Sequence, residues 1–325
     1  MLDIRGLFTR EAIVRYLTAL PVMKTPIMDS LFVNRPQLAM PIIGVHEIKG
    51  VVHALPVVKR GSASIPATRD TGQADFYEPL PVKPNTFVGG MDLNNLKLLG
   101  QNAKDTWAQG KADLLRRGVR KTTEALCSQA LGGKIDWAVQ MEAGGFERWV
   151  IDFGNPLSVV PAKKWDAEGV RLADVFETLT NMQEALEAEG YGGEIEIQAS
   201  GDVYNVLFGL AENSKTTAKI RVEITDQGIN IGGFLIRRRA EKYRDPETRQ
   251  MQPVLPAKTV RMVARDADHR LIYAAVDDLD ANLQPLPMFI KPLKKDDPSG
   301  WMLVGESKPF PVPNMRGICT AQVLA

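Results

Sequence analysis

Residues 92–131, DLNNLKLLGQNAKDTWAQGKADLLRRGVRKTTEALCSQAL, predict one long helix. No proline interrupts them, and apolar side chains recur at close to helical spacing from Leu93 to Ala130. Gly132 and Gly133 then end the pattern. If about 30 of these residues are helical, at ~1.5 Å each, the helix is about 45 Å long. Glycines within it lower its stability, so packing against other elements must support it.

The sequence before this helix divides into an arm and an extended loop. Residues 6–20, GLFTREAIVRYLTAL, predict a short amphipathic helix with Thr9 as its N-cap. Four prolines within residues 21–41 then favour an extended strap. Residues 42–88 place two extended stretches around a polar middle at 61–72, which predicts a long β-hairpin.

Neither of these segments has an obvious core of its own. The strap has little neighbouring chain against which to bury Ile27, Leu31 and Phe32. The sequence therefore predicts that the arm and the loop cannot bury their apolar side chains within one chain. Other copies or partner proteins would have to cover them.

The sequence after the long helix alternates strands and helices. Residues 134–140, KIDWAVQ, and 147–154, ERWVIDFG, predict a β-hairpin that turns at 143–145. A compact α/β unit is predicted next, from helices at 172–189 and 203–211 around a strand at 194–200. The C-terminal run alternates weakly, and its pairing with earlier strands would make one domain discontinuous.

Composition excludes several classes of protein. The 325 residues include 40 basic and 39 acidic side chains, whereas a dedicated nucleic-acid-binding protein needs a marked basic excess. Cys127 and Cys319 stand far apart and outside metal or redox spacing, which predicts two reduced, buried thiols and assembly in a reducing, cytosolic environment. No apolar stretch is long enough to predict a signal peptide or a membrane span.

The three histidines do not form a metal or catalytic motif. His46 and Glu47 begin like a zinc-protease helix, but His53 lacks the i, i+4 spacing that two imidazoles need to share a metal. We interpret His46, His53 and His269 as surface or strand-edge residues rather than general bases.

Other motifs of ligand chemistry are incomplete. Asp278, Asp280 and Asn282 begin like a calcium loop, but Leu283 and Phe289 stand where its glycine and its glutamate belong. No phosphate-binding loop, nucleophile elbow or dinucleotide motif is present. The sequence predicts no catalytic, cofactor-binding or metal-binding residue, and no cofactor.

One basic run stands out, at Arg237, Arg238 and Arg239. Contact with nucleic acid is one interpretation. Because Glu241 and Asp245 lie close behind it, we favour a solvated face or a row of salt bridges between subunits.

Several segments, in their order along the chain, resemble a known family. The segments are PIMDSLF (26–32), VHEIKG (45–50), LPVVKRG (55–61), PLPVKP (79–84), ALGG (130–133) and SKPFPVP (307–313). They resemble landmarks of the lambda-type major capsid proteins of tailed phages, the major capsid protein E family. Residues 160–290 match that family only in general layout.

The resemblance implies an α+β fold, the tailed-phage major capsid fold. Its parts would be an N-terminal arm (1–44), an extended β-hairpin loop (45–90), a peripheral domain with a spine helix (91–165, plus a returning C-terminal strand within 288–325) and an axial α/β domain (166–287). It implies self-assembly into hexamers and pentamers of an icosahedral head. Scaffold, portal and decoration proteins would be partners, packaged DNA would be touched weakly and without sequence preference, and no membrane is involved.

Two other functions stay open at this point. A non-viral compartment shell of the same fold would use the same arms and loops. An unrecognised α+β enzyme would instead bury those segments against its own body around a substrate cleft.

Overall fold

The computed structural model of the chain describes residues 4–46, 74–214 and 220–325. The helices of this part of the chain are α1 (Arg10–Ala19), α2 (Pro26–Ser30), α3 (Gly90–Lys97), α4 (Gln101–Ala130), α5 (Leu172–Ala188) and α6 (Gly201–Ser214). Its strands are β1 (Gln37–Leu38), β2 (Ile43–His46), β3 (Ala74–Tyr77), β4 (Asn85–Gly89), β5 (Lys134–Gln140), β6 (Phe146–Asp152), β7 (Leu157–Ser158), β8 (Ile195–Ser200), β9 (Val222–Thr225), β10 (Gly228–Ile231), β11 (Phe234–Arg239), β12 (Lys242–Arg244), β13 (Met251–Pro253), β14 (Thr259–Ala264), β15 (Arg270–Ala274), β16 (Phe289–Lys295), β17 (Gly300–Glu306), β18 (Pro309–Val312) and β19 (Ile318–Gln322).

The long helix predicted over 92–131 is two helices. α3 ends before a tight turn at Leu98 and Leu99, and α4 starts after Gly100, whose backbone is extended. α4 has 30 residues, which corresponds to about 45 Å. The predicted stop is confirmed, because Gly133 has φ +95°, and a Cβ there would lie 2.2 Å from the carbonyl oxygen of Gly154.

α4 packs against the arm and against a three-stranded sheet. The sheet has the order β16-β17-β4, and all its pairs are antiparallel. Leu115 of α4, Val88 of β4, Ile290 of β16 and Leu303 of β17 are buried together in one apolar cluster. This packing supports a helix whose own glycines would otherwise weaken it.

A seven-stranded mixed sheet forms the second large unit. Its order is β7-β19-β14-β8-β11-β10-β9, with β8 between the parallel β11 and the antiparallel β14. α5 and α6 contribute to its core, in which Trp165, Leu179 and Leu207 are fully buried. We call this part, from β7 to β14 with β19, the sheet unit.

The C-terminal segment contributes to both large units. β16 and β17 lie in the sheet beside α4, whereas β19 pairs with β14 in the sheet unit. The chain therefore returns to earlier strands, as the weak alternation near its end allowed. The domain limits given above stay a prediction.

Two hairpins extend from these units. β5 and β6 pair over seven residues around a turn in which Gly144 and Gly145 have positive φ, so the predicted hairpin is confirmed. β2 and β3 pair antiparallel and form the base of the predicted 42–88 loop. The predicted tip of that loop, at 61–72, lies outside the described residues.

The arm differs from its prediction. The helix and its cap are confirmed, because the hydroxyl of Thr9 accepts a hydrogen bond from the amide of Ala12 at the start of α1. However, Ile27, Leu31 and Phe32 are at most 2% exposed, so the prediction that the arm cannot bury its apolar side chains within one chain is wrong for these three residues. Their neighbours come from residues far along the sequence, in α4 and β14 to β19, which the sequence pattern did not bring together.

Candidate assembly surfaces

The arm is held on α4 by three charged side chains, Arg116, Arg120 and Glu124, which we call the arm clasp. Spaced at i, i+4 and i+8, they lie on one face of the helix. Arg116 donates hydrogen bonds to the carbonyl oxygens of Leu17 and Pro21, at 2.8 and 3.2 Å. Polar backbone of the arm is therefore satisfied by side chains rather than by a neighbouring strand.

The other two members of the clasp hold α2. Arg120 donates to the carbonyl oxygen of Met23 at 3.2 Å and to Asp29 at 2.8 Å. The carboxylate of Glu124 accepts from the amides of Ile27 and Met28, both at 2.8 Å. Glu124 thus caps the start of α2 from another helix, at the end where the helix dipole favours a negative charge.

The pKa values of the two carboxylates at the arm clasp, Asp29 and Glu124, are shifted in opposite directions. Burial by itself would raise the pKa of Asp29, but hydrogen bonds from Thr25, Arg35 and Arg120 lower it overall. Burial raises the pKa of Glu124, and the two amide hydrogen bonds offset this only in part. Sequence reasoning missed the clasp, although Arg116 within the apolar face of α4 was a usable signal.

The start of the arm is held by apolar contacts. Phe8, Ile13 and Tyr16 are buried in the cluster that also contains Leu115 of α4. Phe8 meets Trp107 edge to face, with ring centroids 6.3 Å apart. Beside α1, a groove of ≈ 630 Å³ separates the arm from residues 280–292.

Large apolar side chains are exposed on elements that project from the two units. At the base of the 45–90 loop, Phe76 is 72% exposed, and Met40 and Ile42 are also exposed. At the turn after α3, Leu98 is 86% exposed, and Phe146 is exposed beside the β5–β6 turn. Exposed apolar side chains grouped on projecting elements are typical of surfaces that contact other proteins.

His269, the only histidine whose side chain the structure describes, is not a surface residue, so that alternative is wrong for it, and it directly precedes β15. It is 2% exposed and lies beside Phe32. The amide of Asn314 donates to its Nδ1, so the proton is on Nε2, which donates to the carbonyl oxygen of Ala264. Burial lowers the pKa of His269 to about 4, and both ring nitrogens are occupied, which leaves none for a metal or a substrate.

The basic run contributes to a buried ionic network inside the sheet unit. The carboxylate of Glu196, 3% exposed, accepts from Arg239 and from Arg265, both at 2.7 Å. Arg237 lies 3.8 Å from the same carboxylate. The interpretation as a solvated face or a row between subunits is therefore wrong for Arg239, because its partner belongs to the same chain.

The carboxylates of the incomplete calcium loop are paired with a lysine, and the two cysteines are buried. The ammonium of Lys291 lies 2.5 Å from Asp278 and 3.1 Å from Asp280, so a lysine neutralises these carboxylates. Cys127 and Cys319 are free and buried, and burial raises the pKa of both thiols. Among residues 4–46, 74–214 and 220–325, no cluster of His, Cys, Asp or Glu suits a metal ion, and no helix suits a bilayer span.

Comparison with known proteins identifies the fold. The structure is similar to a protein assigned as the capsid protein of an E. coli CFT073 prophage, with a TM-score of 0.65 at 17% identity over 97% of this chain and 98% of that one. A phage-related protein from Bordetella bronchiseptica RB50 gives 0.54 at 13% identity, covering 97% of both chains. The capsid of a native GTA particle gives 0.52 at 11% identity, covering 94% of this chain and 92% of that one. At such identities, these matches show a shared fold.

The sequence itself matches a family. No curated protein matches it. The family described as phage major capsid protein E matches residues 9–323. Because this match spans nearly the whole chain, the chain belongs to the phage major capsid protein E family and is a structural protein of the capsid shell.

Proposed function

We propose that copies of this chain assemble as hexamers and pentamers into a closed icosahedral shell around a phage genome. The observation that carries this is the grouping of exposed apolar side chains, such as Phe76 and Leu98, on projecting elements. Their exposure costs free energy in an isolated chain, and contacts between copies would remove it. The large apolar side chains of the arm, such as Phe8 and Phe32, are already buried in its own chain, so the argument rests on the loop base, α3 and the β5–β6 hairpin.

The domain limits are part of the same proposal. The arm (1–44), the loop (45–90), the peripheral domain (91–165 with 288–325) and the axial domain (166–287) would correspond to the arm, the β2–β3 hairpin, the α4 unit and the sheet unit. Support comes from the separate apolar clusters of the last two. β19 lies in the sheet unit, so the C-terminal segment would connect the two domains.

Further partners are part of the proposal. Scaffold, portal and decoration proteins would bind the shell or its precursor, and assembly would occur in the host cytoplasm. The buried free thiols of Cys127 and Cys319 are compatible with a reducing compartment. The near balance of acidic and basic residues favours weak, sequence-independent contact with packaged DNA.

Assembly of the expressed chain tests the proposal. Size-exclusion chromatography with light scattering, and negative-stain imaging, should show rings or shells for the unmodified protein. Phe76→Asp should shift the protein toward monomers without changing its melting temperature, because this side chain is already exposed in the single chain. Val160→Asp, at an apolar side chain 82% exposed on the sheet unit, is the matched control and should still assemble. A stable monomer from the unmodified chain at high concentration would refute the proposal.

A further inference from the structure

A second cavity, of ≈ 280 Å³, lies where the arm crosses α4 and β15. Its polar lining residues include Arg35 of the arm, Arg116 and Arg120 of α4, and Tyr273 of β15. Leu17 is among the apolar residues that complete its wall. We call it the arm pocket, and we propose that it binds a phosphate group.

Two of these arginines are held in place and still have donors to offer. Arg35 uses Nε for the carbonyl oxygen of Phe32 and Nη2 for Met28 and Asp29. Arg120 uses Nε for Met23, and Nη2 for Thr25 and Asp29. Within the described part of the chain, the Nη1 group of each has no hydrogen-bond partner. The guanidinium planes are thus preorganised before any anion arrives.

The third donor is a tyrosine hydroxyl. Tyr273 is 7% exposed, and its hydroxyl has no hydrogen-bond partner among residues 4–46, 74–214 and 220–325. The hydroxyl is not among the buried, unpartnered polar atoms of the described residues, so it is open to the cavity and can donate to water or to an occupant. Burial raises the pKa of Tyr273, so the hydroxyl stays protonated and can donate at neutral pH.

The local charge favours an anion. The guanidiniums of Arg35, Arg116 and Arg120 line the pocket, and the carboxylates paired with them are Asp29 and Asp113. Glu124, the next carboxylate, does not line the pocket, and it accepts the amides of Ile27 and Met28. The arginines therefore outnumber the carboxylates, and apolar walls reduce the competition from water.

Phosphate suits this donor set better than a carboxylate. The donors come from three different elements, namely the arm, α4 and β15, and so converge from several directions. A tetrahedral phosphate presents oxygens in several directions, and guanidinium groups bind it strongly, whereas the two oxygens of a carboxylate lie in one plane. A bound phosphate would tie the arm to α4 and to β15, and so would stabilise the docked arm.

The phosphate group has two possible sources, free inorganic phosphate and a nucleic-acid backbone. Isothermal titration of the full chain at low ionic strength, first with inorganic phosphate and then with a short single-stranded DNA, distinguishes them. Phosphate should bind saturably. If the pocket substitutions Tyr273→Phe and Arg35→Gln weaken DNA binding as they weaken phosphate binding, the DNA backbone is a ligand of the pocket. If they weaken only phosphate binding, the ligand is free phosphate. Either result supports the site.

Two substitutions and a control locate the binding. Tyr273→Phe removes one hydroxyl and keeps the ring, and should weaken phosphate binding about 5-fold. Arg35→Gln removes a charged donor and should weaken it about 10-fold or more. Arg244→Gln, at an exposed arginine of β12, should leave the affinity unchanged. Thermal melting of each variant without phosphate checks that it folds.

Three results would overturn the proposal. The first is no saturable heat with phosphate in the unmodified protein. The second is an affinity that neither Tyr273→Phe nor Arg35→Gln changes. The third is tighter binding of acetate than of phosphate, which would assign the pocket to an acidic side chain of another protein copy.

Discussion

The arm and the sheet unit are held together in different ways. In the sheet unit, strands pair through their backbones around a core of apolar side chains. Between Leu17 and Met28, the arm has no paired strand, and the three side chains of the arm clasp satisfy much of its backbone. Loss of a few side chains can therefore free the arm, while the sheet unit should open only with global unfolding.

The pKa shifts of two glutamates, Glu124 in the arm clasp and Glu196 in the sheet unit, also differ between these regions. Glu124 receives two backbone amides, and burial raises its pKa. Glu196 is also buried, but hydrogen bonds from Arg265, Gln198 and Arg239 outweigh burial and lower its pKa to about 2. The surroundings thus shift the pKa of the same residue type in opposite directions, upward in the arm clasp and downward in the sheet unit.

The largest expected effect comes from the core of the sheet unit. Trp165→Ala removes a fully buried side chain from the cluster under α5 and should lower the free energy of unfolding by about 3–5 kcal/mol. Urea unfolding of the assembly-deficient Phe76→Asp background measures this without interference from shells. Val160→Ala, at an exposed position, should change it by less than about 0.5 kcal/mol. Equal losses in the two variants would contradict the assigned core.

The second effect separates the two glutamates by pH. Because the folded pKa of Glu196, about 2, lies below its ordinary value of 4.5, this group stabilises the fold fully above pH 4.5. That stabilisation, up to about 3 kcal/mol, is lost as the pH falls toward the folded pKa. Glu196→Gln should remove it at pH 7 and flatten the stability curve below pH 4.5. Glu124→Gln should not flatten the stability curve below pH 4.5, because the folded pKa of Glu124 is raised rather than lowered. Similar stability curves for both variants would contradict the opposite pKa shifts of the two glutamates.

The third effect concerns the arm clasp. Arg120→Ala removes the bonds to Met23, Thr25 and Asp29, and should lower the free energy of local opening at α2 by about 2 kcal/mol. Hydrogen exchange of the Leu31 amide should become faster, with protection of the sheet unit unchanged. Arg117→Ala is the control, because this exposed arginine of the same helix pairs with Asp113 and with no arm residue among those that the structure describes. Loss of protection in the sheet unit would show that the two regions are coupled.

The smallest effect is at the start of the arm. Thr9→Ala removes the side chain that caps α1 and should cost about 1 kcal/mol of local stability. Exchange of α1 amides measures it, and Thr18→Ala, near the other end of the same helix, is the control. An unchanged exchange rate at Ala12 would mean that apolar packing of Phe8 and Ile13 alone holds this helix.

The sequence by itself predicted the features that depend on neighbouring residues. The helical spacing in α4, the glycines that end it, the β5–β6 turn and the Thr9 cap all arise from contacts within a few residues. The order of short motifs also indicated the family. Two predictions were wrong even at this range. The predicted single helix is divided at Gly100, and the predicted extended strap contains the short helix α2.

Only the tertiary structure decided where the arm lies and what the charged residues do. Ile27 is buried against residues of α4 and of the C-terminal half of the chain, and Glu196 meets arginines 43 and 69 positions away. His269 and Arg239 looked like surface residues, because a local pattern of charge carries no information about such distant partners. The physical reason is that burial and ion pairing depend on proximity in space, whereas sequence periodicity reports only proximity along the chain.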